Sequence, residues 1–290
     1  MSKPSIPGRG ATAQAGAARR ALTSGASVAR YIWTHPANSG QRPAAVLRVL
    51  RYHATARLLG RRTIARLGER SSLWVDLHRT AAAMVLYANP PDMPEMMAWR
   101  RALGPGELFV DVGANIGTYT VWAAELGAEV IALEPAADAF ALLQENLALN
   151  CYAARAIKAA AGAACGTARF TAGRGAGNRL DPDGPVETDV MTVDSLIGDR
   201  VVAGMKVDVE GFELEVLRGC AGALARQRIR LMQLEWNMAS EAALGTDRRP
   251  VAEYLAGYGY ALYRPDAAGH LRPVTDPGYG RDVFACPGPS

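Results

Sequence analysis

From about residue 105 onward, short apolar runs alternate with segments in which apolar residues recur every three or four positions. Apolar runs of this length predict buried strands, and the three-to-four spacing predicts helices. Strands are predicted at 107–112, 129–134, 153–158, 187–193, 204–209 and 229–236, with helices at 117–126, 137–149, 212–224 and 248–257. Strands that alternate with helices in this way predict an α/β fold, a doubly wound and mainly parallel sheet with helices on both faces.

Two further strands close this series, "YALYR" at 260–264 and "RDVFAC" at 281–286. The loop between them is too short for a crossover helix, which a parallel connection requires. We therefore expect the two strands to pair antiparallel, which adds an antiparallel edge strand to the mainly parallel sheet.

The N-terminal part of the chain has a different pattern, which is rich in arginine. Residues 1–70 hold 13 of the 32 Lys and Arg residues and a single acid, whereas the remainder carries a net charge of −8. Residues 1–30 contain little that could be buried, and we expect them to be disordered or loosely helical. Residues 43–67 predict a basic amphipathic helix, with an apolar face formed by Val46, Leu47, Leu50, Ala54 and Leu58.

These patterns divide the chain into a basic, partly disordered or helical arm (1–70), a connecting or cap segment (71–104) and a main domain (105–287). We expect the helix of the arm to cap the main domain and to leave its arginines solvated. Other partners for the arginines stay open: an anionic membrane surface, a nucleic acid or an acidic substrate. Few aromatic residues interleave with the arginines, which disfavours a nucleic acid.

The composition agrees with one large core and a modest appendage, since 49% of the 290 residues are hydrophobic and 21% are charged. No apolar run is long enough for a spanning helix and no signal peptide is evident, so we expect a cytoplasmic protein. The four cysteines form no C-x-x-C pair, which disfavours a zinc site and predicts buried free thiols.

The segment "VDVGANIGTYT" (110–120) joins the first strand of the main domain to its first helix, and the next strand ends at Glu134. In a doubly wound sheet, ligands bind beyond the carboxyl ends of the strands, where Gly113 and Gly117 let a ligand approach the backbone. A carboxylate at Glu134 can accept both hydrogen bonds of a ribose diol, so we expect a nucleoside. The glycine spacing matches neither a dinucleotide fingerprint nor a phosphate loop, and Asp111 suits a cationic ligand.

The same segment, followed by "ALEP", resembles the nucleotide-binding turn of class I S-adenosylmethionine-dependent methyltransferases. Further on, "MKVDVEGFELEVLRGC" (205–220) resembles the signature of the FkbM-type methyltransferases. The resemblance covers about residues 105–287 and implies a Rossmann-like methyltransferase domain with S-adenosylmethionine as its cofactor. The candidate cofactor-binding residues are Asp111, Gly113, Asn115, Gly117, Thr118, Glu134 and Asp208.

Asp208 and Glu210 flank Val209 at the end of a strand and therefore project from the same side of the backbone. Two acids at an otherwise apolar strand end are costly unless they are paired, hydrated or functional. Together with Glu235, at the end of the next strand, they are the candidate catalytic carboxylates. They could act as a general base, as hydrogen-bond acceptors or as ligands of Mg²⁺, and we favour Glu210 as the base or substrate anchor.

The resemblance implies O-methylation of a small-molecule or carbohydrate acceptor with a free hydroxyl, such as a natural product, a sugar or a polysaccharide. Two alternatives stay open, an RNA methyltransferase that uses the basic arm and a non-catalytic protein that keeps the cofactor fold. No N-P-P-Y tetrapeptide follows the strand at 204–209, and the glycines and Glu134 are intact, so both are disfavoured. We expect residues 171–184 and the segments before 105 to form the acceptor side, and the sequence leaves the oligomeric state open.

Overall fold

The computed structural model describes residues 25–59, 62–75, 80–171, 180–236, 248–275 and 282–288. The predictions for residues 1–24, and for most of the 171–184 segment, lie outside these ranges. The helices are α1 (Gly25–Thr34), α2 (Arg42–Leu59), α3 (Thr80–Tyr87), α4 (Met93–Ala102), α5 (Thr118–Glu125), α6 (Ala137–Asn150), α7 (Val193–Ile197), α8 (Glu213–Arg218), α9 (Ala221–Ala225) and α10 (Arg249–Gly257), with a 3-10 turn at Pro36–Asn38. The strands are β1 (Thr63–Leu67), β2 (Ser71–Val75), β3 (Leu108–Val112), β4 (Glu129–Leu133), β5 (Arg155–Ile157), β6 (Ala160–Ala161), β7 (Gly166–Phe170), β8 (Val186–Met191), β9 (Gly204–Val207), β10 (Met232–Leu234), β11 (Tyr260–Pro265), β12 (Leu271–Pro273) and β13 (Val283–Pro287).

The central sheet has eight strands in the order β12-β11-β13-β10-β9-β3-β4-β5. The five strands from β10 to β5 are parallel, and β13, β11 and β12 are antiparallel to their neighbours. The predicted α/β fold with a mainly parallel sheet is therefore confirmed, as is the antiparallel pairing of β11 with β13. The outermost strand on that side is β12, which the sequence analysis missed.

Side chains of alternate residues leave a strand on opposite faces of the sheet. Both faces of this sheet are covered by packed side chains. On one face, the ring of Trp99 in α4 lies 5.0 Å from that of Phe109 and 5.3 Å from that of Phe284, centroid to centroid. On the other face, Val110 and Met205 are buried in a cluster with side chains of α8, α9 and α10. The large core that the composition predicts is thus split into two layers by the sheet.

The register of the parallel strands aligns their carboxyl ends. Val112 in β3 pairs with Leu133 in β4 and with Val207 in β9, and Val207 pairs in turn with Leu234 in β10. The residues that follow these four therefore stand in one row at the same edge of the sheet. That row consists of Gly113, Glu134, Asp208 and Glu235.

Two other parts of the main domain differ from the predictions. Strands β6, β8 and β7 form a separate three-stranded sheet. The helix predicted at 212–224 is split into α8 and α9. Gly219 lies at the split, where a Cβ would stand 2.1 Å from the carbonyl oxygen of Gly162. The helix therefore breaks at the point where the chain beside the second sheet packs closely against it.

The helix predicted at 43–67 is wrong beyond Leu59. Residues Thr63–Leu67 form β1, which pairs antiparallel with β2. Thr63 and Ile64 are β-branched and favour a strand, and pairing with β2 supplies the hydrogen bonds that stabilise it. The predicted boundary between residues 70 and 71 falls where the hairpin turn meets β2.

Helix α2 packs onto the rest of the protein through a face that the sequence analysis did not choose. Its buried side chains are Ala45, Val49, Tyr52 and Ala56, and the helix contacts α3. The predicted apolar face is instead largely exposed at Leu47, Leu50, Ala54 and Leu58. The helix therefore packs against α3 in the 71–104 segment, the face predicted to be buried is wrong, and capping of the main domain stays a prediction.

Two polar side chains tie the N-terminal elements to the remainder. The buried amide of Asn38 donates to the carbonyl oxygens of Ile32 and Tyr87, at 3.0 and 2.9 Å. The carboxylate of Glu125 in α5 accepts three backbone N–H groups of the hairpin turn, from residues 69, 70 and 71. The first helix and the hairpin are both held by side-chain hydrogen bonds to the backbone.

No helix in the described ranges is both long and apolar enough to cross a membrane. All four cysteines are free, as predicted, but only Cys220 is buried. Cys151 and Cys165 are exposed, so the prediction that the thiols are buried is wrong for these two residues.

Candidate active site

The turn after β3 depends on two glycines. Gly113 and Gly117 have φ angles of 79° and 90°, a left-handed conformation that glycine adopts without strain. A Cβ at Gly113 would lie 1.9 Å from the carbonyl oxygen of Asp208, and one at Gly117 would lie 2.5 Å from Leu143 Cδ1. The structural reason for both glycines is therefore close packing against β9 and α6, and not only access for a ligand.

Glu134 is held in place by two backbone groups. Its Oε2 accepts the N–H of Asn115 and its Oε1 accepts the N–H of Ala136, both at 2.8 Å. Burial raises the pKa of this carboxyl to about 7, although the two N–H donors act in the opposite direction. Asn115, which donates its N–H to this carboxylate, has a left-handed φ of 51°.

Asp111 lies inside the sheet and not on the surface of the turn. It is fully buried, and its Oδ2 accepts the hydroxyl of Thr120 at 2.6 Å. Its Oδ1 has no hydrogen-bond partner among the residues that the structure describes. Burial raises the pKa of Asp111, and the nearby Lys206 lowers it. Asp111 joins β3 to α5, and contact with a cofactor stays a prediction, as it does for half-buried Thr118 at the start of α5.

A polar row crosses the middle of the sheet on the same face. Asp111 pairs in register with Lys206, which pairs with Gln233. The buried Lys206 ammonium lies 2.8 Å from Asp208 Oδ2 and 4.8 Å from the centroid of the Tyr119 ring. Burial acts to lower the pKa of Lys206, but the carboxylates of Asp208, Asp111 and Asp282 outweigh burial and raise it. Lys206 is therefore a fixed cation beneath the carboxyl edge of the sheet.

Gln233 links this row to the surrounding helices. Its amide nitrogen donates to Tyr119 Oη at 3.1 Å and to Asp282 Oδ2 at 2.7 Å, while its amide oxygen accepts Trp99 Nε1–H. The hydroxyl of Tyr119 in turn donates to Asp92 Oδ2 at 3.2 Å. All of these hydrogen bonds join separate elements, so the network fixes α4 and α5 against the end of β10.

The three predicted catalytic carboxylates lie together. One oxygen of each of Asp208, Glu210 and Glu235 can be chosen so that all three are within 4.8 Å of one another. Asp208 and Glu235 stand in the row beyond β9 and β10, and Glu210 reaches the cluster because its φ of 52° turns the chain sharply after β9. We call Asp208, Glu210 and Glu235 the acidic cluster. It lies beside the Gly113 turn, since Gly113 packs against the Asp208 carbonyl.

Sequence reasoning missed four polar residues next to the acidic cluster: Asp92, Tyr119, Gln233 and Asp282. For Gln233, a signal was present in the sequence, because a polar residue stands in the middle of the apolar run "RLMQLEW". Lys206 in "GMKVDV" is of the same type. Polar residues inside buried strands require partners, so both positions indicate a polar network.

Residues 111–262, slightly more than half of the chain, match the family described as "Methyltransferase FkbM domain". No curated protein matches the chain.

Several solved structures are similar at low identity. A putative rRNA methylase from Clostridium thermocellum has 13% identity and a TM-score of 0.40, covering 66% of this chain and 90% of the other. A putative transferase from Pyrococcus horikoshii has 14% identity and a TM-score of 0.40, covering 83% and 82%. A TehB-like SAM-dependent methyltransferase from Corynebacterium glutamicum has 10% identity and a TM-score of 0.40, covering 84% and 96%. Similarity at this level says nothing about the acceptor.

Glu134 retains hydrogen-bond acceptor capacity on both of its carboxylate oxygens. Each oxygen of the Glu134 carboxylate has two lone pairs and accepts one backbone N–H, so each retains a lone pair for a ribose hydroxyl. The matched residues 111–262 include both the Gly113 turn and the acidic cluster. The chain belongs to the FkbM family and is an S-adenosylmethionine-dependent methyltransferase.

Proposed function

We propose that the protein methylates a hydroxyl group of a natural product, a sugar or a polysaccharide. The observation that carries the proposal is the acidic cluster, in which three carboxylates meet beside the Gly113 turn at the carboxyl edge of the sheet. An alcohol has a pKa far above 7, so a group that accepts its proton speeds the reaction. Carboxylates next to the cofactor turn supply such a group.

Glu134 and the turn from Gly113 to Thr118 would hold the cofactor. The carboxylate of Glu134 would accept the ribose hydroxyls, and Asn115 and Ala136 keep it in the orientation that this requires. S-adenosylmethionine supplies an electrophilic methyl group when bound. The contribution of the protein is mainly alignment, because an in-line displacement depends on the relative position of donor and acceptor.

Within the acidic cluster, we assign different roles to the three residues. Asp208 is engaged by the Lys206 ammonium, and a carboxylate held by a cation is a weaker base. We therefore assign Asp208 to orienting the acceptor. Glu210, on the sharp turn after β9, is assigned to taking the proton of the hydroxyl, with Glu235 as an acceptor of hydrogen bonds from the substrate.

A second mechanism uses a metal ion at the same three residues. Hard cations such as Mg²⁺ bind carboxylate oxygens, and oxygens within 4.8 Å of one another can coordinate one ion. A Mg²⁺ ion there would act as a Lewis acid on the acceptor oxygen and lower the pKa of the hydroxyl. In that case Glu210 is a ligand and not the base.

The test is methyl transfer from labelled S-adenosylmethionine to a panel of glycosides, polyketides and polysaccharide fragments, with RNA as a further arm. Each reaction is run with Mg²⁺ and with a chelator. We expect label in an alkali-stable methyl ether on a hydroxyl. Label in RNA, or on nitrogen or carbon of the acceptor, would contradict the proposal.

Glu210→Gln separates the two mechanisms. A general-base role gives a turnover loss of about 10²- to 10⁴-fold at saturating cofactor, with no response to Mg²⁺. A metal-ligand role instead gives a loss that high Mg²⁺ partly reverses, and chelator silences the parent enzyme. Glu187→Gln, at an exposed position on β8, is the matched control and should keep the parental rate. Near-parental turnover of Glu210→Gln would remove Glu210 from the mechanism.

A further inference from the structure

The outward face of α2 carries a line of apolar side chains. Leu47, Leu50, Ala54 and Leu58 are spaced by three, four and four residues, which places them along one side of a helix with 3.6 residues per turn. We call these four residues the outer stripe. The buried side chains Ala45, Val49, Tyr52 and Ala56 lie on the opposite side. Helix α2 is therefore apolar on two opposite faces, and only one of them faces the protein core.

The exposure of the outer stripe is high. Leu47, Leu50 and Leu58 are 53%, 62% and 82% exposed, and Trp33 of α1 and Ile64 of β1 are 51% and 47% exposed. Among the described residues, seven large apolar side chains are exposed to this degree, and five of them belong to this N-terminal region. Single exposed leucines need no explanation, whereas a concentration of them on one region indicates a surface that contacts something apolar.

The same region is strongly cationic. Residues 25–67 contain no aspartate or glutamate, and the exposed arginines among them include Arg42, Arg51 and Arg66. The guanidinium carbon of Arg42 lies 5.7 Å from the centroid of the Trp33 ring, so positive charge and apolar surface are in direct contact. The partner must therefore offer negative charge and an apolar phase side by side.

A cavity of about 420 Å³ lies between α2, β1 and the end of α3. Arg48, Arg51 and Arg66 line it, together with Thr55 and Asn89, and none of the described residues of its lining is a carboxylate. Within the described part of the chain, none of these three arginines forms an ion pair with a carboxylate. Three guanidinium groups around a volume of this size fit a phosphate-bearing group.

We propose that the outer stripe and the basic cavity form a docking surface for an anionic phospholipid bilayer. Helix α2 would lie in the plane of the interface, with the leucines of the outer stripe among the upper parts of the acyl chains and Trp33 at the level of the headgroups. The basic cavity would receive the phosphate of one lipid headgroup. The arrangement does not suit nucleic acid equally well, because leucine side chains give bases no surface on which to stack.

The experiment is sedimentation of the full-length protein with vesicles. One set contains phosphatidylcholine alone, and the other contains phosphatidylcholine with phosphatidylglycerol. We expect binding to the anionic vesicles only, weakened but not abolished by high salt, because salt screens the arginines and leaves the apolar contact. No binding to anionic vesicles, or equal binding to both sets, would overturn the proposal.

Variants test the two components of the surface separately. Arg66→Gln should lower the vesicle partition coefficient about five-fold, which is the effect of one arginine near an anionic surface. Its control is Arg226→Gln, at an exposed position on the main domain, which should leave the partition coefficient unchanged. Leu58→Glu should lower it by at least about ten-fold, since it replaces an inserted aliphatic side chain by a charge. The matched control is Val201→Glu, which places a glutamate at another exposed apolar position.

Thermal melting of each variant shows whether it is folded. All of the substituted positions are exposed, so we expect every variant to fold. Equal loss of vesicle binding in Leu58→Glu and Val201→Glu would overturn the assignment to this surface. Salt-sensitive binding of RNA that Arg66→Gln weakens, without vesicle binding, would overturn the proposal in favour of a nucleic-acid partner. A dimer in light scattering that Leu58→Glu dissociates would overturn it in favour of a second copy of the chain.

Discussion

The pKa of Glu134 predicts how cofactor affinity depends on pH. Burial raises the pKa of this carboxyl to about 7 in the ligand-free protein. A ribose diol donates two hydrogen bonds, so it binds the carboxylate and not the carboxylic acid, and binding lowers the pKa. Cofactor binding near neutral pH should therefore release a proton from Glu134, and affinity should rise as pH increases.

The magnitude follows from the fraction of protein that is ionised. With a pKa of about 7, about one molecule in eleven carries ionised Glu134 at pH 6, and about ten in eleven carry it at pH 8. Affinity should therefore rise about ten-fold over this interval, which corresponds to about 1.4 kcal/mol. Above about pH 8 the affinity should reach a plateau, since nearly all of the carboxyl groups are then ionised.

The assay is isothermal titration calorimetry at several pH values, in buffers with different heats of ionisation so that released protons are counted. 5′-Methylthioadenosine serves as a parallel ligand, because it carries the ribose diol but no amino-acid part that could titrate. Asp138→Asn should shift the midpoint of the profile to lower pH, since the charge of Asp138 contributes to raising the pKa of Glu134. Desolvation raises the pKa of Asp282 to about 6, so titration of Asp282 adds a second slope to the pH profile of cofactor affinity.

Glu134→Gln isolates the contribution of Glu134 from that of Asp282. This variant should bind more weakly by about 1.5 to 3 kcal/mol at pH 8, the range for hydrogen bonds to a charged group, and should lose the slope around pH 7. An affinity independent of pH in the parent, or a slope that Glu134→Gln retains, would refute the assignment of Glu134 to the ribose.

Three other predictions concern stability and are checked by thermal or urea unfolding. Gly113→Ala should cost more than about 3 kcal/mol because a Cβ meets the Asp208 carbonyl, whereas Gly106→Ala, with similar φ but open space, should cost about 1 to 2 kcal/mol. Asn38→Ala should cost about 1 to 3 kcal/mol, since it leaves two buried carbonyl groups without their donor. Burial of Glu125 raises its pKa, but its N–H donors outweigh burial and lower it. The Glu125 carboxylate therefore stabilises the folded protein above its pKa in the unfolded chain, and this contribution is lost as pH falls through its pKa in the folded protein. Glu125→Gln should show less of this acid-dependent loss of stability.

The alternating part of the chain could be predicted because its signals are local. The strand predicted at 107–112 is Leu108–Val112, and the helix predicted at 117–126 is Thr118–Glu125. An apolar run, a turn with Gly113 and a stop at Gly127 are sufficient to define both elements. The acidic cluster was also accessible, since Asp208, Glu210 and Glu235 stand at the ends of two successive strands of the predicted parallel sheet.

The failures concern features that depend on distant partners. Residues 63–67 were predicted to continue the helix that begins at residue 43, and pairing with 71–75 makes them a strand. Helix α2 offers two apolar faces, and contact with α3, which the sequence does not reveal, selects the one with Val49. Likewise, the network around Gln233 requires Tyr119 and Asp282 to arrive from other elements, so no local pattern predicts it.

The position of β13 has a consequence for synthesis of the protein. This strand lies between β10 and β11 although it follows both in the chain, and Leu234 pairs with Val283, which puts Asp282 beside Glu235. Until the ribosome has released residues 282–287, one edge each of β10 and β11 is unpaired. The polar network at the acidic cluster then lacks Asp282. Unpaired strand edges are sites of aggregation, so a chain truncated before Val283 should aggregate more readily than the chain that contains β13. The site is therefore complete only after residues 282–287 have been synthesised and β13 has paired with β10 and β11.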